Sequence, residues 1–242
     1  MRAIILAAGA GTRLRPLTDG RPKCLVPIGG KTLLGHQLHA LHAHGVSDVH
    51  LVIGFEADQI RTYCRDHSLC TIRCIENERW ESTNSIHSLY MARASLEGDI
   101  LLFNCDVLFH PEILSRMLDQ EGSNISVDSQ MPRIAGEMNA VVSKGGRIDA
   151  IAKNLDLERV QAVSVQLARF DSEGAALVRA EVERLTDEGL KEAFPTSSYT
   201  PLIARGKLVA VEVGDLPWAE IDSLEDFERA EVEVLPRLPE SR

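Results

Sequence analysis

The chain has 242 residues, 44% of them hydrophobic, and its 26 basic and 36 acidic residues give a net charge of −10. This length and apolar content suit one sizeable α/β domain, and the negative charge argues against nucleic acid or an anionic membrane as a general partner. No apolar stretch approaches the roughly eighteen residues of a membrane span, and no signal-peptide pattern follows Met1. The sequence therefore predicts a cytoplasmic protein without a membrane partner.

Strands and helices are predicted to alternate along the first half of the chain. A buried strand over 1–8 precedes a glycine-rich turn, and Pro111 favours the start of a later helix. Between them we predict helix 32–45, strand 49–54, helix 57–66, strand 70–75, helix 84–96 and strand 99–104. Apolar strands that alternate with helices predict a mostly parallel sheet covered on both faces.

The pattern changes from about residue 137. Segments 138–142, 147–153 and 162–170 are predicted strands without long helices between them, which indicates a small mixed-sheet lobe. Beyond them we predict helix 171–192, strand 208–213 and a final helix capped by Ser223. We therefore predict a single domain over 1–235, with a core over 1–125 and 205–235, a lobe over 126–204 and a frayed tail over 236–242.

The most informative segment is the turn after the first strand. It has the sequence G-A-G-T-R-L-R-P-L-T over residues 9–18, and R-P-K-C-L-V-P follows over 21–27. Glycines let a backbone approach an anion closely, and Arg13, Arg15 and Lys23 bring positive charge to the same place. This combination predicts a polyphosphate site at the end of a buried strand.

Three common phosphate motifs do not fit this segment. The dinucleotide fingerprint G-x-G-x-x-G and the kinase glycine loop both need a third glycine, which is missing beside Arg13 and Leu14. A Walker A loop ending at Thr32 would need a glycine at position 25, which is Leu25.

What remains, G-x-G-x-R-L-x-P-L-T followed by P-K-x-L-x-P, resembles the signature of the nucleotidylyltransferases that activate sugar phosphates and small phosphate esters with an NTP. The resemblance covers about residues 1–230. It implies a Rossmann-like sheet with helices on both faces and an acceptor lobe. It also implies catalytic roles for Arg13, on the β- and γ-phosphates, and for Lys23, over the α-phosphate.

Carboxylates at two distant points match the metal site of this family. Asp106 follows strand 99–104, and the segment 218–226, W-A-E-I-D-S-L-E-D, resembles the closing element of the family. The resemblance implies that Asp106 and Asp222 bind Mg2+ and that Glu220 supports them. Without it, Asp106 could cap a turn and Asp222 could favour the following helix N-terminus.

The segment N-S-I-H-S-L over 84–89 resembles one branch of the family, the cytidylyltransferases that act on phosphocholine, inositol phosphate and phosphonates. The missing glycine-rich base segment of uridylyl and thymidylyl enzymes also favours CTP. As an alternative, these polar residues cap and cover a helix. The predicted nucleotide contacts are Leu6, Ala7, Ala8, Gly9, Ala10, Gly11, Thr12, Arg13, Lys23, Asn77, Asn84, Ser85, Ser88 and Cys105.

The acceptor is predicted from fewer residues. Lys153 matches a lysine that this branch places after a short strand, where it would reach the acceptor phosphate. Glu137 stands where phosphocholine enzymes carry an aromatic residue, and the nearby cation Arg133 favours a compact anionic acceptor such as a phosphonate.

Together these features predict a Mg2+-dependent cytidylyltransferase that transfers CMP from CTP to a small phosphonate or phosphomonoester, with phosphonate favoured over phosphocholine. Two alternatives stay open: a sugar 1-phosphate nucleotidyltransferase that uses UTP, dTTP or GTP, and a catalytically silent nucleotide-binding domain. A homodimer is compatible with the sequence.

Overall fold

The structure is a computed structural model that describes residues 1–67 and 69–239. Its strands are β1 Arg2–Ala7, β2 Pro27–Ile28, β3 Lys31–Thr32, β4 Asp48–Ile53, β5 Thr71–Glu76, β6 Ile100–Asn104, β7 Val107–Phe109, β8 Ser123–Asp128, β9 Asn139–Val142, β10 Ile148–Ala152, β11 Ala162–Phe170, β12 Leu208–Glu212 and β13 Trp218–Glu220. Its α-helices are α1 Leu33–Ala43, α2 Ala57–Asp66, α3 Ser85–Met91, α4 Glu112–Asp119, α5 Ser172–Asp187, α6 Thr200–Ala204 and α7 Leu224–Arg229.

The parallel half of the main sheet confirms the α/β prediction. Strands β5, β4, β1 and β6 lie side by side and run parallel, with Leu6 opposite both Val52 and Asn104. Almost every residue of β1, β4 and β6 is buried, because helices cover both faces of the sheet. Helices α1, α2 and α4 pack on one face, and α3 and α5 pack on the other.

The other half of the same sheet is largely antiparallel. Strand β11 pairs with β6, β8 and β9, while β9 pairs with β10 and β8 pairs in parallel with β12. The segment predicted as a lobe thus contributes its longest strand, β11, and helix α5 to the main sheet and its core. The predicted boundary at residue 126 falls inside β8, a strand that was not predicted from the sequence.

Strand β8 was missed because its polar residues hide the pattern of a buried strand. Its sequence is S-N-I-S-V-D, yet all six residues are buried. Neighbours satisfy the polar groups: Asn124 donates to the carbonyl of Met117 at 3.1 Å, and Ser126 donates to that of Leu167 at 3.3 Å. Because hydrogen bonds satisfy these buried polar side chains, the strand is stable without the apolar pattern by which buried strands are predicted.

Helix ends differ from the predictions by a turn or more. The helix predicted over 84–96 ends at Met91 and continues as a 3-10 turn over Arg93–Ser95. The helix predicted over 171–192 ends at Asp187, and Gly189 follows with a φ of +82°. The final helix begins as predicted, since Ser223 and Asp226 form a reciprocal capping box.

The C-terminal segment is packed as far as it is described. After α7 a π-helical turn, Ala230–Val234, leads to a 3-10 turn, Leu235–Arg237, and Leu238 packs against the cluster of Leu14, Val26 and Ile28. Apolar contacts therefore hold the segment up to Leu238 on the domain. Residues 240–242 of the predicted tail lie outside the described residues.

Candidate active site

The cleft of the molecule lies where the carboxyl ends of β1 and β6 meet, the edge at which parallel α/β sheets bind ligands. Its volume is about 340 Å³. It is lined by Leu6, Ala8, Gly9, Gly11, Thr12, Arg13, Lys23, Asn77, Trp80, Thr83, Asn84, Ser85, Ser88, Asn104, Cys105, Asp106, Lys153, Gln166, Phe194, Glu220 and Asp222.

The glycine loop and the segment around Lys23 fit closely together. Gly11 has a φ of +60°, and a Cβ atom there would lie 2.9 Å from Cβ of Lys23. The hydroxyl of Thr18 donates to the carbonyl of Gly11 at 2.9 Å and holds the turn. Gly9 has open space where its Cβ would be, so its lack of a side chain serves the cleft rather than internal packing.

The ammonium of Lys23 joins two carboxylates that are 116 residues apart in the chain. It donates to Oδ2 of Asp106 at 2.8 Å and to Oδ1 of Asp222 at 2.5 Å. Burial acts to lower the pKa of Lys23, but the two carboxylates outweigh it and raise that pKa above its usual value. Lys23 is therefore a fixed cation inside the cleft.

Arg13 has a different environment. Its guanidinium donates to Oδ2 of Asp222 at 2.7 Å, and 71% of the side chain is exposed, against 8% for Lys23. Burial acts to raise the pKa of Asp222, but Lys23 and then Arg13 outweigh it and hold that pKa below its usual value. A long, exposed arginine side chain can pair with phosphate groups at the open side of the cleft.

A short antiparallel ladder brings the two acidic segments together. Strand β13 pairs with β7, with Glu220 opposite Val107, and the amide of Ile221 donates to the carbonyl of Asp106 at 2.9 Å. On the other side, the side-chain amide of Gln37 donates to the carbonyls of Asn104 and Val107 at 2.9 and 3.0 Å. These hydrogen bonds to main-chain carbonyls fix the turn that carries Asp106.

One carboxylate oxygen from each of Asp106, Glu220 and Asp222 lies within 4.8 Å of the other two. Desolvation, followed by the charges of Asp106 and Asp222, raises the pKa of Glu220 to about 8. In the described part of the chain, the buried Oδ1 of Asp106 has no hydrogen-bond partner. Clustered carboxylates with an unpartnered oxygen fit a hard divalent cation such as Mg2+.

The wall predicted to bind the base is built by the segment 77–88. Asn77 is buried, and its side chain donates to Ser88 at 3.1 Å and accepts from the amide of Arg79 at 3.0 Å. Asn84 caps α3 by accepting from the amide of Ser85 at 2.7 Å. Asn84 therefore has both predicted features, since it caps the helix and lines the cleft.

The predicted acceptor residues separate into two groups. Lys153 lines the cleft, where its ammonium lies 5.2 Å from the ring centre of Phe194. Arg133 and Glu137 lie in an exposed segment outside the lining residues. Among the other predicted contacts, Ala7 and Ala10 do not line the cleft either. Ala7 is buried in the hydrophobic core.

Five lining residues were not predicted from the sequence: Trp80, Thr83, Asn104, Gln166 and Phe194. Trp80 packs edge-to-face on Phe55 at 5.4 Å between ring centres, and no motif marks either residue. Asn104 offered a signal, since it ends the predicted strand two residues before Asp106. Gln166 lies in the middle of a strand, where sequence periodicity gives no sign of a site.

The fold and this cleft define a nucleotidyltransferase, in which a glycine loop, a buried lysine and a carboxylate group face one polar cavity. Residues 3–170 match the family model described as the MobA-like NTP transferase domain, and the chain belongs to this family.

Two relatives of this chain carry names that refer to CMP or CTP. CMP-5'-(3-aminopropyl)phosphonate synthase of Streptomyces rubellomurinus is 28% identical over 100% of this chain, which spans 40% of the length of that relative. CTP:phosphoglutamine cytidylyltransferase of Campylobacter jejuni is 25% identical, with 94% of this chain and 98% of that protein covered. The second relative is a cytidylyltransferase by name, and the first is named as the synthase of a phosphonate that carries CMP.

A solved structure agrees on the fold. CTP:phosphocholine cytidylyltransferase of Streptococcus pneumoniae superposes with a TM-score of 0.80 at 22% identity, covering 96% of this chain and 97% of that one. Within the described ranges 1–67 and 69–239, no helix is both long and apolar enough to cross a bilayer.

Proposed function

We propose that this protein is a Mg2+-dependent cytidylyltransferase that transfers CMP from CTP to a small phosphonate or phosphomonoester and releases pyrophosphate. The observation that carries the proposal is the placement of Lys23 between Asp106 and Asp222, at the mouth of the glycine loop. A buried cation beside a carboxylate group can hold the α-phosphate and its metal together.

In this reaction an anionic oxygen of the acceptor attacks the α-phosphorus of CTP. The new phosphorus–oxygen bond forms as the bond to the β-phosphate bridge breaks, and the electron pair leaves with pyrophosphate. The acceptor oxygen already carries negative charge, so the chain needs no general base. Catalysis then consists of positioning the two anions and neutralising the charge that their approach concentrates.

Each part of the cleft has a role in this scheme. Amides of the loop around Gly9 and Gly11 bind the phosphates, Arg13 reaches the β- and γ-phosphates, and Lys23 neutralises the α-phosphate. Asp106, Asp222 and Glu220 would hold Mg2+, which when bound neutralises phosphate oxygens and orients the triphosphate.

We place the cytosine against the segment that contains Asn77, Asn84 and Ser88, because amides and hydroxyls suit the edge of a pyrimidine. The names of the two relatives support CTP as the donor. We place the acceptor beside Lys153, whose ammonium faces the cleft and pairs with a phosphate or phosphonate. Arg133 and Glu137 stay predictions for this end.

The test is pyrophosphate release with each of the four NTPs, crossed with 3-aminopropylphosphonate, simple phosphonates, phosphocholine, inositol 1-phosphate and sugar 1-phosphates. We expect turnover with CTP and a small phosphonate or phosphomonoester. Turnover with UTP, dTTP or GTP and a sugar 1-phosphate, but not with CTP, would establish the sugar nucleotide alternative. The absence of turnover in every combination would refute the acceptor assignment.

A further inference from the structure

The segment 191–194 crosses the start of α3 at one wall of the cleft. The main-chain amide of Asn84 donates to the carbonyl of Lys191 at 2.9 Å, and its side-chain amide donates to the carbonyl of Glu192 at 3.0 Å. The amide of Ile86 donates to the next carbonyl at 3.4 Å. Three successive carbonyls of the segment are therefore bound to the first residues of the helix.

The side chain of Asn84 joins two parts of the main chain. Its Oδ1 accepts from the amide of Ser85 at 2.7 Å and caps α3, while its Nδ2 donates to Glu192. Serine and aspartate cap helices as well as asparagine does. An aspartate lacks the donor, however, and a serine lacks the length to reach a second segment. The asparagine at this position thus serves the segment 191–194 as well as the helix.

The segment ends at Phe194, which lines the cleft and is 37% exposed. The centre of its ring lies 5.2 Å from the ammonium of Lys153. The following residues Pro195 and Tyr199 are buried, and the ring of Tyr199 packs edge-to-face on Phe170 at 5.0 Å between ring centres. Phe194 is therefore held by hydrogen bonds on its N-terminal side and by the core on its C-terminal side.

The ring of Phe194 gives Lys153 a fixed partner. Lys23 binds two carboxylates, whereas Lys153 forms no ion pair with residues in the described ranges 1–67 and 69–239. A cation within about 6 Å of an aromatic face is attracted by the ring quadrupole, and a lysine side chain otherwise samples many rotamers. Phe194 thus keeps the ammonium in the cleft and leaves its charge free for an anion.

We propose that Asn84 is a positioning residue for the acceptor. Through the segment 191–194 it holds Phe194, whose ring holds the ammonium of Lys153 where it pairs with the phosphonate or phosphate group of the acceptor. Asn84 thus acts at the acceptor end as well as in the wall of the cleft. This inference rests on the proposed function for the identity of the acceptor, but the contacts among these residues do not depend on it.

The test observes Lys153 directly, by NMR of the full chain labelled with carbon-13 lysine, without CTP and in the presence of EDTA. In the wild type, the ring of Phe194 should shift the ε-methylene signal of Lys153 upfield, and Lys153→Ala assigns that signal by removing it. Phe194→Leu should abolish the upfield shift. Asn84→Ser should reduce it, because serine keeps the helix cap but loses the donor to Glu192.

The same signal gives the Kd for methylphosphonate and for methyl phosphate, which carry the two candidate acceptor groups. We expect Phe194→Leu and Asn84→Ser each to raise the Kd of the probe that binds by about threefold, the size of one exposed cation–π contact. The double variant should have the Kd of Phe194→Leu alone, because Asn84 acts through the ring. A merely structural role for Asn84 would lower thermal stability and leave the signal and the Kd unchanged.

Asp171→Ser is the matched control, because it also replaces an N-cap residue by serine. Asp171 caps α5 and follows Phe170, which pairs with Ile100 at the edge of the sheet opposite to the cleft. This change should leave the Lys153 signal and the Kd of each probe unchanged. If Asn84→Ser does not fold, Asn84→Asp replaces it, since aspartate also caps the helix and lacks the donor.

A normal upfield shift and a normal Kd in Asn84→Ser would overturn the inference and limit Asn84 to the helix cap. A wild type without the upfield shift, or one in which neither probe moves the Lys153 signal, would overturn it too. The proposed function fails by a different result, namely the absence of pyrophosphate release from CTP with every acceptor. The NMR comparison needs no turnover, so it decides the role of Asn84 in either case.

Discussion

The two ends of the cleft are built by different physical means. At the triphosphate end, Lys23 is 8% exposed and paired with two carboxylates, and Gly11 leaves no room for a side chain beside it. At the acceptor end, Lys153 lies over the ring of Phe194, which is 37% exposed, and the segment 131–137 is exposed throughout. Buried ion pairs hold the side chains of the triphosphate end in place, whereas the side chains of the acceptor end are more exposed and have fewer contacts that hold them.

The largest effect is expected for Lys23→Met, which removes the cation that ties the triphosphate end together. Turnover should fall by about 10³-fold, because a preorganised donor at the α-phosphate is lost. Breaking the buried pairs should also reduce the free energy of unfolding by about 3 kcal/mol. Pyrophosphate release and urea unfolding measure the two effects.

Lys144→Met is its control, since Lys144 is exposed in the turn before β10. It should leave both quantities unchanged. A Lys23→Met protein with normal turnover would show that the buried cation serves folding alone.

The next effect concerns Asp106→Asn, which keeps the shape of the side chain but removes its charge. Turnover should fall by about 10²-fold, while stability should change little, because Lys23 keeps its bond to Asp222. Asp149→Asn, at an exposed position of β10, is the matched control. Pyrophosphate release that is unaffected by Asp106→Asn would contradict the metal assignment.

The two glycines of the loop separate fold from function. Gly11→Ala should cost about 1–2 kcal/mol of stability, since it forces a side chain into a left-handed backbone against Lys23. Gly9→Ala should keep stability within about 0.5 kcal/mol but raise the KM for CTP by roughly tenfold, because its methyl group would project toward the phosphates. If both variants lost the same stability, Gly9 and Gly11 would both serve the fold, and the proposed separate role of Gly9 in CTP binding would be wrong.

At the acceptor end we expect a smaller effect. Lys153→Ala should raise the KM for the acceptor by roughly fivefold and leave the KM for CTP unchanged, because the lysine is partly solvated. Arg133→Ala is the comparison, and its effect on the acceptor KM should be smaller, since Arg133 does not line the cleft. A larger effect for Arg133 would place the acceptor against segment 131–137 instead.

The last prediction concerns stability alone, as a pH dependence of unfolding in protein treated with EDTA. The pKa of Glu220 rises from 4.5 to about 8 on folding, so the folded state holds a proton that the unfolded state has lost. Its contribution to stability is full below pH 4.5 and is lost as pH rises to about 8. Thermal unfolding across this range should show the loss, and Glu220→Gln should remove this component. A Glu220→Gln protein with the slope of the wild type would assign the dependence to other groups.

Much of the fold followed from local patterns. The bounds of α2 were predicted to the residue, and the strands of the parallel half were found within one or two residues, because buried parallel strands are continuous apolar runs. Strand β8 and the ladder of β7 with β13 were not predicted. Strand β8 has a polar sequence, whereas β7 and β13 are each three residues long and are stable only as a pair.

The sequence by itself determined the glycine loop, the cations Arg13 and Lys23, and the acidic positions 106, 220 and 222. Each of these lies in a short motif that can be identified without knowledge of the residues that surround it in the fold. Only the tertiary structure decided that Lys23 bridges Asp106 and Asp222, that Trp80 and Phe194 border the cleft, and that Asn104 donates to Gln166. These contacts join residues far apart in the chain, and they depend on strand register and a left-handed backbone that no local pattern encodes.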